Sequence, residues 1–251
     1  MHGLEQEKIA AVVLAAGRGV RMKSDLPKVF NPLAGQPLLA YVISTLKEMG
    51  VGRILAVVGH KKELIVNYFK DGGVTFVEQA EQFGTGHAVL QAEPYLSGFL
   101  GKVLVLAGDV PLLRAETLKN LMNFHNQHHA VATVLTAELP DAGNYGRIVR
   151  NQEGLILKIV EKKDATPEEL KIKEINTGTF CFNSRFLFSA LAEVKAENAQ
   201  REYYLTDTIE ILRKQGQPVF AYLTQNYRET LGVNTPEELK QLEEIFRQKI
   251  A

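Results

Sequence analysis

The sequence has a single cysteine, Cys181, so no internal disulfide can form, and one thiol fits a reducing compartment. It has no net charge, since Lys+Arg and Asp+Glu both count 29. That balance favours neither nucleic acid nor an anionic membrane as a partner. No apolar run approaches the roughly 20 residues of a membrane-spanning helix. Residues 1–8 are polar and acidic, so no signal peptide is expected. Internal repeats, low-complexity tracts and a clear flexible linker are also missing. These absences lead to the expectation of a soluble cytoplasmic protein without nucleic-acid or membrane partners. Two chemical absences matter as much. No Gly-x-x-x-x-Gly-Lys-Ser/Thr run exists, which excludes a P-loop. No Ser/His/acid constellation for nucleophilic catalysis stands out. What is present, 251 residues of which 45% are hydrophobic, is ample for one sizeable core with or without an appendage.

The most informative stretch is Leu14-Ala15-Ala16-Gly17-Arg18-Gly19-Val20-Arg21-Met22, followed by Leu26-Pro27-Lys28. The apolar run 9–16 reads as a buried strand that breaks into a basic, glycine-containing turn. Gly17 and Gly19 let backbone N–H groups approach an anion, because no Cβ stands in the way. Arg18, Arg21, Lys23 and Lys28 add charge where phosphates would sit. The loop therefore reads as a polyphosphate site, with a basic surface turn as the alternative. A dinucleotide fold fits poorly. Its third glycine position is Met22, and the second strand, 53–58, ends in Gly59-His60-Lys61-Lys62 with no acid for a ribose.

Strand-like runs at 9–15, 53–58, 74–78, 103–107 and 131–136 alternate with helical patterns at 38–49, 62–69, 87–96 and 115–127. Continuous apolar strands with crossover helices predict an α/β fold, a Rossmann-like, mostly parallel sheet covered on both faces. Such sheets bind ligands at the carboxyl ends of their strands. The loops at Gly17 and Gly84, together with Asp109, all follow strands at that edge. On residues alone, Asp109 reads equally as a helix-start or turn residue and as a metal ligand. The second half is more mixed. Segments 146–150 and 155–160 flank a hairpin-like turn at 151–154, and 176–183 and 219–223 read as strands around a helix at 206–214.

The tail reads as an amphipathic helix over 235–251. Thr235 is its N-cap, Pro236 its first residue and Glu238 its third. Leu239, Leu242, Ile245, Phe246 and Ile250 form its apolar stripe, expected to pack on the chain's own domain. His125, His128 and His129 have helical spacing that could bind a metal, but with no acid or cysteine nearby they read as a helix end. Residues 167–170 read as a short surface helix.

The glycine loop, with its following Leu-Pro-Lys, resembles the signature of sugar-nucleotide pyrophosphorylases. Further blocks carry the resemblance over nearly the whole chain, in family order: 78–88 (EQAEQFGTGHA), 106–113 (LAGDVPLL), 144–149 (NYGRIV), 159–165 (IVEKKDA), 174–180 (EINTGTF), 198–207 (NAQREYYLTD) and 232–239 (GVNTPEEL). They most resemble the uridylyltransferase half of the bacterial bifunctional enzymes that make UDP-N-acetylglucosamine. The resemblance implies the nucleotide-diphospho-sugar transferase fold over 1–234, with a nucleotide half to about 137, a sugar and lid half over 138–234, and small-molecule substrates, UTP and a sugar 1-phosphate. The left-handed β-helix that follows in the bifunctional enzymes has no counterpart here, so its acetyltransferase activity is not expected of this polypeptide.

The same resemblance assigns residues. Arg18 and Lys28 are catalytic. Leu14, Ala15, Ala16, Gly17, Gly19, Gln79, Gln82, Gly84 and Thr85 hold the nucleotide. Tyr145, Gly146, Glu161, Asn176, Thr177, Tyr204 and Thr206 hold the sugar. Asp109 and Asn234 ligate Mg²⁺. The chemistry agrees with these residue types. A glutamine amide offers a donor and an acceptor, which suits the edge of uracil. A lone carboxylate beside a triphosphate suits Mg²⁺, which takes few protein ligands. Thr206 also reads as an N-cap. One departure from the bifunctional pattern is Ala107, where an aromatic is common. Other readings are a pyrophosphorylase for a different sugar or base, and a non-catalytic nucleotide-sugar sensor, which would have no need of the metal pair.

Overall fold

The computed structural model describes residues 8–250; residues 1–7, residue 251 and the side chains of Lys249 and Ile250 lie outside that description. In chain order its elements are β1 (Ile9–Ala15), the short hairpin β2 (Pro32–Leu33) and β3 (Gln36–Pro37), α1 (Leu38–Glu48), β4 (Arg53–Val58), α2 (Lys62–Phe69), β5 (Val74–Glu78), α3 (Thr85–Leu90), β6 (Lys102–Ala107), α4 (Ala115–Gln127), β7 (Ala132–Glu138), β8 (Arg147–Arg150), β9 (Ile156–Val160), β10 (Glu174–Asn183), α5 (Ser184–Glu193), α6 (Asp207–Lys214), β11 (Val219–Leu223) and α7 (Pro236–Ile250).

β1 shows why the sheet is covered on both faces. Ala10 and Val12 pack into one apolar cluster, with α3, α5 and α6. Ala11, Val13 and Ala15 pack into another, with α1, α2 and α4. The period of two sends alternate side chains to opposite faces, and both are apolar. The sheet order is β11-β7-β10-β6-β1-β4-β5. β6, β1, β4 and β5 run parallel, as do β11 and β7, while β10 is antiparallel to both β6 and β7. The expected α/β sheet is therefore present, with one reversed strand in its middle. That reversal brings the start of β10 to the edge where β6 ends.

Several local readings hold. Asn151 stabilises the β8–β9 turn by accepting the Glu153 and Leu155 N–H groups at 3.1 and 2.8 Å. The tail starts on a capping box: Thr235 Oγ1 accepts the Glu238 N–H at 3.2 Å, and the Glu238 carboxylate accepts the Thr235 N–H at 3.2 Å. Its Leu239, Leu242, Ile245 and Phe246 pack with Met22, Leu33, Leu38 and Val233, on the chain itself. Residues 169–171 make a single 3₁₀ turn.

Other readings change. The helix expected over 87–96 begins earlier, at Thr85, and ends at Leu90; Pro94 lies within a separate 3₁₀ turn, Glu93–Leu96, because it has no N–H for a continuing helix. The β2–β3 hairpin and α5 were not expected. α5 had a readable start, since the Asn183 side chain accepts the Arg185 N–H at 3.2 Å. Among the described residues no helix is long and apolar enough to cross a membrane.

Candidate active site

β1 is the switch point of the sheet. The chain moves from β1 outward to β4 and β5, then returns to β6 on the other side of β1. The crevice outside the carboxyl ends of β1 and β6 is where such a sheet opens to a ligand. Two cavities occupy it. One, of about 300 Å³, is lined by Leu14, Ala16, Gly17, Lys28, Gln79, Gln82, Gly84 and Thr85, with Glu202. The other, of about 540 Å³, is lined by Tyr145, Gly146, Glu161, Asn176, Thr177 and Asn234, with Arg21 and Gln241. Ala107 and Asp109 line both, so the cavities form one cleft with Asp109 at the junction.

The two glycines of the basic loop do different things. A Cβ on Gly17 would meet nothing within 4 Å, leaving its backbone open toward the first cavity. Gly19 has φ +65°, and a Cβ there would lie 2.7 Å from Lys28 Cβ, so it shapes the loop against Lys28. Ala15 faces the core, 1% exposed, and its side chain is absent from the cleft wall. Arg18 turns sideways, and its Nε–H donates to Gln82 Oε1 at 3.0 Å.

At the junction, residues distant in sequence converge. The Lys28 ammonium pairs with the Asp109 carboxylate and donates to Asn234 Oδ1 at 2.7 Å. Arg21 donates to the same oxygen at 3.0 Å. Arg21 appeared in the sequence only as one cation of the loop, and nothing local marks its reach to residue 234. The loop carrying Asn234 is held from three sides. Val233 N–H donates to the Asp109 carbonyl at 3.1 Å, Gly232 N–H to the Tyr145 hydroxyl at 2.9 Å, and Asn234 N–H to Glu238 at 2.6 Å. Burial pushes the Tyr145 hydroxyl up to about 12, so it stays neutral and keeps its proton. One turn upstream, buried Glu229 accepts the Arg114 N–H at 3.3 Å and the Thr117 hydroxyl at 2.8 Å, tying this segment to the start of α4.

Asp109 and Asn234 thus turn two oxygens toward one cation position, at present that of the Lys28 ammonium. A carboxylate and an amide carbonyl are hard oxygen donors, a set that fits Mg²⁺ completed by water and phosphate. Among the described residues no group of three or more His, Cys, Asp or Glu side chains is arranged to hold a metal. Of the helix-end histidines, buried His125 bonds the Thr133 hydroxyl through Nδ1 at 2.9 Å, while His128 stacks on Phe124, their ring centroids 4.0 Å apart.

The loop after β5 departs from the simplest expectation. The buried Gln79 amide nitrogen donates to the Gly84 carbonyl at 3.1 Å and contacts His87 Nδ1 at 2.9 Å. Its donors are engaged within the protein, so the residue offers an acceptor rather than both functions. Gly84 was expected to let the backbone approach a ligand. It lines the first cavity, and its other side packs on Tyr203, since a Cβ on Gly84, at φ +108°, would lie 2.6 Å from the Tyr203 carbonyl. Three hydrogen bonds join the segments: Gly86 N–H to Tyr203 O at 2.7 Å, Tyr203 N–H to Phe83 O at 2.7 Å, and Leu205 N–H to Thr85 Oγ1 at 3.0 Å. Gly84→Ala is therefore expected to cost about 1–3 kcal/mol of stability, from a forced left-handed backbone and a steric conflict. Thermal unfolding checks this, and an unchanged Tm would contradict it.

In the second cavity, a bulge in β10 between Asn176 and Thr179 presents Asn176 and Thr177 at the cleft. It is held by Gly178 N–H to Asn176 Oδ1 at 2.9 Å and by the Thr177 hydroxyl to Leu135 O at 2.7 Å. Burial raises the Glu161 carboxyl above its ordinary range. The Thr206 hydroxyl, donating at 3.3 Å, opposes that rise, while Asp207, Asp164 and Glu202 add to it. Thr206 does not cap α6 with its side chain. Tyr204 is buried, its hydroxyl donating to Asp164 at 3.3 Å and accepting from Gln200 at 2.8 Å. Neither Tyr204 nor Thr206 lines the cleft; Thr206 stands behind Glu161.

Residues 11–231 match the MobA-like NTP transferase domain. The chain is 50% identical over 240 residues to the bifunctional protein GlmU of Streptococcus gordonii, and 49% identical over 240 residues to that of Halalkalibacterium halodurans. Each match covers 96% of this chain and 52% of the relative, so the chain spans about half the length of these curated relatives. A crystal structure of UDP-glucose pyrophosphorylase complexed with UDP-glucose is similar, with a TM-score of 0.78, over 97% of this chain and 99% of that one, at 21% identity. At that identity the likeness speaks for the fold.

Proposed function

The chain belongs to the MobA-like NTP transferase domain family, and from that premise we propose that it transfers the uridylyl group of UTP to N-acetylglucosamine 1-phosphate, forming UDP-N-acetylglucosamine and pyrophosphate. The observation that carries the proposal is the meeting of Lys28, Asp109 and Asn234 at the junction of two cavities. One cavity has Gln79 and Thr85 in its wall and the other has Glu161 and Asn176. A reaction joining two substrates needs two pockets and a charged seam between them. The relatives that are half identical to this chain, named as bifunctional GlmU proteins, support the choice of substrates.

In this reaction a phosphate oxygen of the sugar 1-phosphate attacks the α-phosphorus of UTP. A new P–O bond forms, the bond between the α-phosphorus and the bridging oxygen breaks, and pyrophosphate leaves with that electron pair. The nucleophile is already anionic, so no general base is required, which accounts for the missing Ser/His/acid constellation. The obstacle is repulsion between two anions. Catalysis is then alignment and charge neutralisation. Lys28 and Arg21 bring fixed positive charge to the seam. Asp109 and Asn234 would hold Mg²⁺, which when bound neutralises phosphate charge. Open Gly17 exposes backbone N–H groups to the phosphates, and Arg18 braces Gln82. Asn176 and Glu161 bind sugar hydroxyls, with Thr206 orienting Glu161 from behind. The nucleotide half would extend to about residue 137 and the sugar half over 138–234, with α7 closing the cleft through Gln241. Magnesium dependence and a cytoplasmic location belong to the same proposal.

The acceptor is tested by direct competition between N-acetylglucosamine 1-phosphate and glucose 1-phosphate, with UTP and Mg²⁺. The N-acetylated sugar is expected to be used at least about tenfold faster in kcat/KM, since a site built to bond a polar group rejects an analogue lacking it. Equal use, or preference for glucose 1-phosphate, would overturn the acceptor while leaving the reaction class standing. Replacing UTP by dTTP in the same assay tests the base.

A further inference from the structure

We propose that His87 is a positioning residue that, together with the Gly84 carbonyl, sets which end of the Gln79 amide faces the nucleotide cavity, and so makes the site select bases that carry an imino N–H. The inference rests on the uridylyl reading above, in which Gln79 meets the base.

The imidazole of His87 lies between two amides. Gln79 Nε2 is 2.9 Å from its Nδ1, and Gln91 Nε2 is 3.1 Å from its Nε2. A neutral imidazole carries one proton, so only one of its ring nitrogens accepts. The two glutamines are not equivalent. Gln79 is 3% exposed, and its amide nitrogen is also bound by the Gly84 carbonyl at 3.1 Å. Turning that amide would set its oxygen against the Gly84 oxygen, a repulsion that the burial of Gln79 leaves poorly screened. Gln91 Nε2 also donates to the His87 carbonyl at 3.2 Å, but that carbonyl keeps the Gln91 backbone N–H at 3.3 Å, so Gln91, half-buried at the end of α3, can turn its amide toward the ring proton. The ring therefore accepts at Nδ1 and keeps its proton on Nε2.

Both protons of the Gln79 amide nitrogen are then committed, one to Gly84 and one to His87. What remains to meet a ligand is Oε1, a pure acceptor, in a residue that lines the nucleotide cavity. Uracil presents N3–H, a donor. Cytosine presents a lone pair at the same position and would face acceptor with acceptor. Discrimination thus lies one residue behind the contact, in a histidine that does not itself line the cavity.

The test compares kcat/KM for UTP and for CTP, with N-acetylglucosamine 1-phosphate and Mg²⁺. The proteins are the unaltered chain, His87→Leu, His87→Lys and His87→Asn. Leucine removes the acceptor, lysine offers only donors, and asparagine restores an acceptor. The UTP:CTP ratio is expected to fall by about tenfold or more in the leucine and lysine variants, chiefly through a higher KM for UTP, and to stay within about threefold in the asparagine variant. A ratio unchanged in a folded leucine or lysine variant overturns the proposal, even if both rates fall, because a merely structural role lowers them together. Nitrogen NMR of the imidazoles in the unaltered chain tests it without any substitution: His87 should show the Nε2–H tautomer, and an Nδ1–H tautomer overturns the assignment. An unaltered chain that prefers CTP, or rejects UTP, overturns the uridylyl reading instead and is recognised before any variant is compared.

Discussion

Asp109→Ala is expected to lower kcat by about a thousandfold or more while the fold survives. That is the scale for losing the protein anchor of a charge-neutralising metal. The side chain sits at the end of β6, at the junction of both cavities, paired with Lys28. Its removal deletes the carboxylate that pairs with Lys28 at the point where Lys28 and Arg21 converge on Asn234. The backbone role of residue 109, accepting the Val233 N–H, does not depend on the side chain, so circular dichroism and Tm should stay near those of the unaltered chain. Asp109→Asn separates charge from shape, since it keeps an oxygen and the volume and should still be severely impaired. The assay is pyrophosphate release across a Mg²⁺ titration. Near-normal turnover of the alanine variant at physiological Mg²⁺ would remove Asp109 from the metal site.

Lys28→Ala is expected to lower kcat/KM by about a hundredfold or more, the scale for losing one preorganised charge contact in a transition state. The structure sharpens the reason. Lys28 bonds both Asp109 and Asn234, so its ammonium sits between the two oxygen donors at the junction of the cavities. Its loss takes from the Asp109 carboxylate its ion-pair partner. Lys28→Arg should rescue only in part, because a planar guanidinium does not replace a compact ammonium at a point between two oxygens. A change of less than a few-fold in the alanine variant would show that Lys28 orders the loop and does not act on phosphate.

Part of this site is legible in the sequence because part of it is local. The continuous apolar run 9–15 predicts a strand buried on both faces, and β1 divides its side chains between two clusters accordingly. Thr235-Pro236-Glu237-Glu238 predicts a helix start, and the capping box forms there. Lys28 is legible as a cation of the basic loop and Asp109 as an acid at a strand end, while Asn234 is legible only as a member of a family block. Nothing in their neighbourhoods states that one ammonium meets both oxygens.

By itself the sequence determined the elements of the parallel half of the sheet, the glycine-containing loop after β1, the turn at Asn151 and the start of α7. These depend on dihedral preferences, on a period of two or 3.6, and on side-chain bonds within a few residues. Only the tertiary structure decided the rest. The antiparallel β10 between β6 and β7 carries Asn176 to the end of β6, and strand order follows from long-range pairing rather than from any local pattern. Arg21 reaches Asn234 across 213 positions. Thr206 faces Glu161 instead of capping its own helix. The Gln79 amide shows an acceptor because Gly84 and His87 take its protons. For buried Thr206 and Gln79 the side chain has more than one partner it could satisfy, and burial beside one of them makes the choice, since a polar group shut away from water must bond what the fold puts next to it.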